Sequence, residues 1–130
     1  MKSRVLIVED NQPNRELLSD WLEVEGFEVL SAENLEQSFA TFESNEVDVV
    51  LLDVQLGADD GLALATWLRN QSRLRNVPII AVTAHAMVTD HERVLSAGCN
   101  GCVSKPIDFR LLREQINRWI GQPAYSPPAS

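Results

Sequence analysis

The chain has 130 residues, 45% of them hydrophobic, which suits one compact domain with a sizeable core and leaves little room for a second. Its formal charge of −8 is split, with 15 acidic and 3 basic residues in positions 1–60 against 4 and 8 in positions 61–130. That balance excludes the basic face of a nucleic-acid binder, favours a cation beside the N-terminal half, and leaves the basic half for an acidic protein partner.

Arg4 to Val8 reads as a buried strand. Its apolar run is too short for a signal-peptide core or a membrane span, and no later stretch is long enough, so a cytoplasmic chain without membrane insertion is expected. Glu9 and Asp10 follow at once. Asn11 or its neighbour can cap a helix with Pro13 in its first turn, and Leu18, Trp21 and Leu22 form its apolar stripe up to Gly26. Phe27 to Leu30 is a short second strand. Asn34 with Gln37 resembles a capping box for a helix carrying Leu35, Phe39 and Phe42 to about Glu43.

Val49 to Asp53 is an unbroken apolar run that ends in a carboxylate, as suits a strand covered on both faces. Gln55 to Asp60 reads as a Gly/Asp-rich loop, followed by a helix with Leu62, Ala65 and Leu68 at helical spacing. Pro78 to Val82 makes a fourth strand closed by Thr83. A helix lies between Ala86 and Ala97, with Thr89 and Glu92 as a capping box for a later start. Met87, Val94 and Leu95 are its chief apolar residues, so it is thinly anchored and able to shift at modest cost.

Gly98 closes that helix, Cys102 to Ser104 is a fifth strand, and Lys105-Pro106 follows. Asp108 caps a last helix with Leu112, Ile116, Trp119 and Ile120 on one side. Cys99 and Cys102 form a C-x-x-C, but Cys102 opens a strand rather than a helix, so the pair reads as structural, not redox-active. Residues 1–121 form the expected domain, and 122–130 an uncharged Pro/Ser/Ala tail or linker.

Five alternations of strand and helix imply a parallel sheet wrapped on both faces, a (βα)5 α/β architecture. If the order is flavodoxin-like, 2-1-3-4-5, the switch point falls between the first and third strands. All strand ends then share one edge, which gathers Glu9, Asp10, Asp53, Thr83 and Lys105. Carboxylates packed together repel, by about 4 kcal/mol for a pair at ~4 Å and an effective dielectric of ~20. An oxygen-only ligand set that must be neutralised points to Mg²⁺. With the metal and the Lys105 ammonium beside it, Asp53 can stay ionised and act as a nucleophile, while Thr83 can hydrogen-bond a phosphoryl oxygen.

The stretches VLIVEDN, VVLLDVQL, Asp60-Gly61, PIIAVTAHA and AGCNGCVSKP together resemble the receiver domain of two-component response regulators, over residues 4 to 120. The resemblance implies transfer of a phosphoryl group from a phosphohistidine partner to Asp53. It also implies Mg²⁺ held by Glu9, Asp10, Asp53 and the backbone carbonyl of Gln55, Thr83 as the switch hydroxyl, Lys105 against the phosphoryl group, and a cis Lys105-Pro106 bond. The spellings VEDNQPNR and VTAHAM look most like receivers of hybrid sensor histidine kinases or phosphorelays. A histidine kinase or histidine phosphotransfer protein is then the expected partner, with the chain a monomer or weak dimer. The location would be the cytoplasm, or the cytoplasmic part of a membrane-bound hybrid kinase.

Two positions depart from the family. Cys102 stands where an aromatic switch residue is usual, and Gly57 where a Pro is common, which throws the expected switch onto Thr83 and the thinly anchored fourth helix. Gln55 and His85 occupy positions that tune phosphoryl lifetime in the family, with a solvated or capping role as the alternative for His85, whereas His91 reads as a surface residue. Pro13, Leu17, Pro106 and Ile107 form a candidate partner patch, with a core role for Leu17 as the alternative. A hydrolase of the haloacid-dehalogenase type would place a second Asp where Gln55 stands. A phosphorylation-independent interaction domain would suit a chain lacking one of the site residues.

Overall fold

In the computed structural model, residues 2–84 and 88–120 are described, residues 88–90 by their backbone alone. Five parallel strands form one sheet: β1 (Arg4–Val8), β2 (Glu28–Ala32), β3 (Val49–Asp53), β6 (Ile79–Thr83) and β7 (Gly101–Ser104). The intervening β4 (Gln55–Leu56) and β5 (Asp59–Asp60) are a separate antiparallel ribbon. The order β2-β1-β3-β6-β7 is the flavodoxin-like arrangement, 2-1-3-4-5 when the sheet strands are counted alone. The expected tail, 122–130, lies outside the described residues.

Side chains alternate across the sheet, so each interior strand feeds two cores. Leu6, Val8, Val50, Leu52, Ile79 and Ala81 face α2 (Leu35–Ser44), α3 (Leu62–Arg69) and α4 (Val88–Ser96). Val5, Ile7, Val49, Leu51, Ile80 and Val103 face α1 (Gln12–Val24) and α5 (Phe109–Trp119). β3 and β6 are buried along their whole length, whereas β2 is a half-exposed edge. Each fully buried Leu or Ile contributes about 1.5–3 kcal/mol relative to exposure. Leu18 and Leu22 anchor α1, and Leu112 and Ile116 anchor α5, as their spacing predicts. Trp21 and Phe109 join these helices with ring centroids 5.0 Å apart.

The predicted caps are made where the helix starts where expected. Asn11 Oδ1 accepts from Asn14 N at 2.9 Å, Asn34 Oδ1 from Gln37 N at 2.8 Å, and Asp108 Oδ1 from Arg110 N at 3.0 Å. Gln37 differs from a strict capping box in accepting from Glu33 N rather than binding the cap residue itself. Thr89 is a correction. α4 begins at Val88, so Thr89 already lies within the helix and is not its cap.

Gln55 to Asp60 is likewise more ordered than a loop, because Gly57 at φ +58° reverses the chain and pairs Gln55 with Asp60. Arg69 ties α3 to the segments that lead into β6 and β7. Its Nε donates to Gly98 O at 2.9 Å, Nη1 to Arg75 O and Val77 O at 2.7 Å each, and Nη2 to Asn100 Oδ1 at 2.8 Å. Among the described residues no helix is long and apolar enough to cross a membrane.

Candidate functional site

Parallel register brings the candidate residues together. Val8 pairs with Leu52, which sets Glu9 opposite Asp53, and Asp53 in turn pairs with Val82, one residue before Thr83. The ladders continue past the strands: Glu9 N donates to Ala32 O at 3.0 Å, Val54 N to Val82 O at 3.1 Å, and Lys105 N to Thr83 O at 2.8 Å. The backbone under the site is therefore held by the sheet itself. Glu9, Asp53 and Thr83 are buried polar residues, 3%, 6% and 4% exposed, whereas Asp10 is exposed.

Glu9, Asp10 and Asp53 each offer an oxygen within 4.8 Å of the others. Lys105 Nζ lies 3.1 Å from Asp53 Oδ2 and 3.7 Å from Glu9 Oε1, while Gln55 N donates to Asp53 Oδ1 at 3.0 Å. One ammonium does not offset three carboxylates. The Glu9 carboxyl is accordingly pushed up to about 7, first by burial and then by its hydrogen bond with Asp53; Asn14 and Lys105 pull it the other way. Three acids gathered in a set of oxygen donors without His or Cys, with one ammonium beside them, fit a hard divalent cation such as Mg²⁺. Glu9, Asp10, Asp53, Gln55, Thr83 and Lys105 all line one cavity of about 580 Å³.

The remaining candidates divide. Leu17 is 57% exposed and so is not core; with Pro106 and Ile107 it lines an adjoining, largely apolar cavity of about 530 Å³, of which Pro13 is not a wall residue. The Lys105-Pro106 bond is cis, as the resemblance implies. Cys102, half-buried and paired with Ala81, packs with Cys99 against the apolar cluster under α2, α3 and α4, which matches the structural reading of both thiols. His85 lies outside the described residues.

Four residues were given no role by the sequence reading. Arg93 of α4 lines the acidic cavity, with Nη2 3.3 Å from Asp60 Oδ2. Gly61 lets the chain before α3 press on Asp53, and Asn14 and Arg15 reach back from α1 to the Glu9–Asp10 dipeptide. Gly61 carried a signal in the Asp60-Gly61 pair, and Asn14 and Arg15 in the spelling VEDNQPNR, but no role followed from either; Arg93 is an exposed polar residue of a helix and carried none.

Residues 5–117 match the family described as the response regulator receiver domain. The chain belongs to that family. This receiver is 37% identical to the polar-differentiation response regulator DivK of Brucella anthropi over 121 residues, 93% of this chain and 98% of that one. It is 34% identical to the receiver domain of a Pseudomonas aeruginosa PAO1 sensor histidine kinase, with a TM-score of 0.84, covering 94% of this chain and 100% of the other. That structure holds a magnesium ion coordinated in its active-site cleft. A putative response regulator from Chloroflexus aurantiacus superposes with a TM-score of 0.89 at 25% identity, over 94% of this chain and all of that one. The receiver is thus a two-component signalling protein with a histidine-kinase type of partner.

Proposed function

We propose that this receiver takes a phosphoryl group from a phosphohistidine onto Asp53 and changes its partner binding, or passes the group to a histidine phosphotransfer domain. The observation that carries the reading is Asp53 itself: 6% exposed, at the end of a fully buried strand, with an ammonium 3.1 Å from one oxygen and a main-chain amide 3.0 Å from the other. An Asp53 oxygen forms the new bond to phosphorus as the nitrogen–phosphorus bond breaks, its electron pair returning to the donor imidazole. The Lys105 ammonium neutralises phosphoryl oxygens, and the Thr83 hydroxyl donates to one of them. Mg²⁺, held by Glu9, Asp10, Asp53 and the Gln55 carbonyl, supplies further neutralisation of the transferring group when bound.

In this reading Leu17, Pro106 and Ile107, with Pro13 nearby, receive the apolar face of the donor helix beside the acidic cavity. Gln55 and His85 set how water reaches the phosphoryl group. The switch runs through Thr83 and α4, since Cys102 is a small core-packed residue rather than a mobile ring, and Cys102→Tyr should leave partner affinity unchanged in both phosphorylation states. Gln55 at the second position after Asp53 offers no acid/base carboxyl and disfavours a phosphatase.

The test is incubation with phosphoramidate or acetyl phosphate and Mg²⁺, followed by intact mass. A single phosphate adduct that vanishes in Asp53→Asn supports the receiver chemistry. Rapid multiple turnover of phosphomonoesters would indicate a hydrolase, and absence of an adduct an interaction domain.

A further inference from the structure

The link between β1 and α1 carries two of the three acids, and it is short: Glu9, Asp10 and the cap residue Asn11. Repulsion within the trio tends to turn such side chains outward, so something must hold them in register before any cation arrives. The first turn of α1 does this from two directions. Asn14 Nδ2 donates to Glu9 Oε1 at 2.9 Å, the oxygen that Lys105 Nζ approaches at 3.7 Å. Arg15 Nη1 donates to Glu9 O at 3.0 Å and to Asp10 O at 3.4 Å, while its Nη2 donates to Glu33 Oε1 at 3.0 Å. The Arg15 side chain is only 14% exposed, so this is a built contact rather than a solvated pair. With Glu9 N already donating to Ala32 O, the Glu9 peptide is held at its amide, its carbonyl and its carboxylate.

We propose that Asn14 and Arg15 are positioning residues that preset the Glu9–Asp10 dipeptide for a divalent cation, Asn14 by orienting the Glu9 carboxylate and Arg15 by fixing the two carbonyls behind it. The proposal rests on the magnesium reading of the acidic site given above. The residue types suit the task. Asn14 donates a hydrogen bond without bringing a charge, so it orients the carboxylate yet does not repel an incoming cation, as a lysine there would. Its own backbone is fixed as well, because Asn14 N donates to the cap oxygen of Asn11 at 2.9 Å, leaving the side-chain amide aimed at Glu9. Arg15 puts its charge behind the acids, against their carbonyls and Glu33, and its planar fork suits several acceptors at once.

The experiment titrates MgCl₂ alone into the full chain by calorimetry, with no phosphodonor present. Removing a partner that orients a ligand typically weakens metal affinity by about 10–100-fold. Asn14→Leu is expected to weaken Mg²⁺ binding by at least ~10-fold, and Asn14→Gln, which keeps the amide on a longer stem, to recover most of it. Arg15→Lys, which keeps the charge but not the fork, should fall between them. Gln12→Leu is the control, since among the described residues the Gln12 side chain bonds along its own helix to Glu16 at 2.8 Å, and it should bind Mg²⁺ as wild type does. In phosphoramidate labelling, the Asn14→Leu defect should appear in the Mg²⁺ concentration for half-maximal rate, not in the plateau. Wild-type affinity in Asn14→Leu, or equal losses in Asn14→Leu and Gln12→Leu, would overturn the positioning role and leave the magnesium site standing. A wild-type chain that binds no Mg²⁺ would overturn both.

Discussion

A Cβ placed on Gly61 would lie 2.1 Å from the carbonyl oxygen of Asp53 and 3.0 Å from that of Val54. The need for glycine here is steric rather than conformational, because Gly61 has an ordinary helical backbone at φ −58°. Gly61 N also donates to Val54 O at 2.7 Å, so the entry to α3 is packed directly on the turn that follows the candidate phosphoacceptor. Gly61→Ala should displace that turn, lowering stability by about 1–3 kcal/mol in urea unfolding. The rate of phosphate-adduct formation at Asp53 should fall with it, by roughly tenfold or more for a misplacement of the reacting oxygen on the order of an ångström.

Glu9 predicts how metal-free stability depends on pH. Its carboxyl is raised from 4.5 to about 7 in the folded chain, so between those values the native state holds a proton that the unfolded chain has lost. The resulting stabilisation is fully present below about pH 4.5 and is lost as pH rises through about 7. The shift is worth roughly 3 kcal/mol. Urea midpoints measured in a chelator should therefore decline more steeply over this window in wild type than in Glu9→Gln, and saturating Mg²⁺ should abolish the difference. Parallel pH profiles for the two proteins would contradict the assignment.

Arg69 should be among the most costly surface-charge deletions. Its guanidinium donates to the carbonyls of Gly98, Arg75 and Val77 and to Asn100 Oδ1, which itself accepts from Ile79 N at 2.9 Å. Arg69→Met keeps much of the stem but strips the donors from these acceptors. Hydrogen bonds to charged groups are worth about 1.5–3 kcal/mol each and add imperfectly, so a loss of at least ~3 kcal/mol is expected in denaturant unfolding. A loss under ~1 kcal/mol would show that water takes over the freed carbonyls.

The thiols should behave as core residues. Burial pushes the Cys99 thiol up to about 12, against the pull of Arg69, so little thiolate exists near neutral pH. Iodoacetamide at pH 8 should leave Cys99 unmodified in the native chain on a timescale that alkylates the urea-unfolded chain completely. Peptide mapping reads this directly, and native labelling of Cys99 would overturn the structural reading of the pair.

Much of the candidate site was legible because its residues sit where a simple pattern breaks. In β1, β3 and β6 an apolar run stops at Glu9, Asp53 and Thr83, and a parallel sheet with these alternations has only one edge for such ends. Caps at Asn11, Asn34 and Asp108 were readable for the same local reason. Thr89 was misread because a capping motif is only four residues of local pattern, and α4 starts ahead of it. The Gln55–Asp60 ribbon was missed because its two-residue strands are too short to show alternation. Leu17 could not be separated from the stripe of Leu18, since adjacent helix positions differ only in which face the tertiary packing covers.

The sequence by itself determined the five alternations, the sheet they build, and the acids, hydroxyl and lysine at its carboxyl edge, because burial on both faces permits polar residues only where the strands end. Only the tertiary structure decided what surrounds and holds those groups. The Lys105–Asp53 pair spans 52 positions, Arg69 reaches Asn100 across 31, and Arg93 reaches Asp60 across 33. Contacts of that reach arise from packed helices and register, and hydrophobic periodicity carries no record of which long polar side chain will meet which partner.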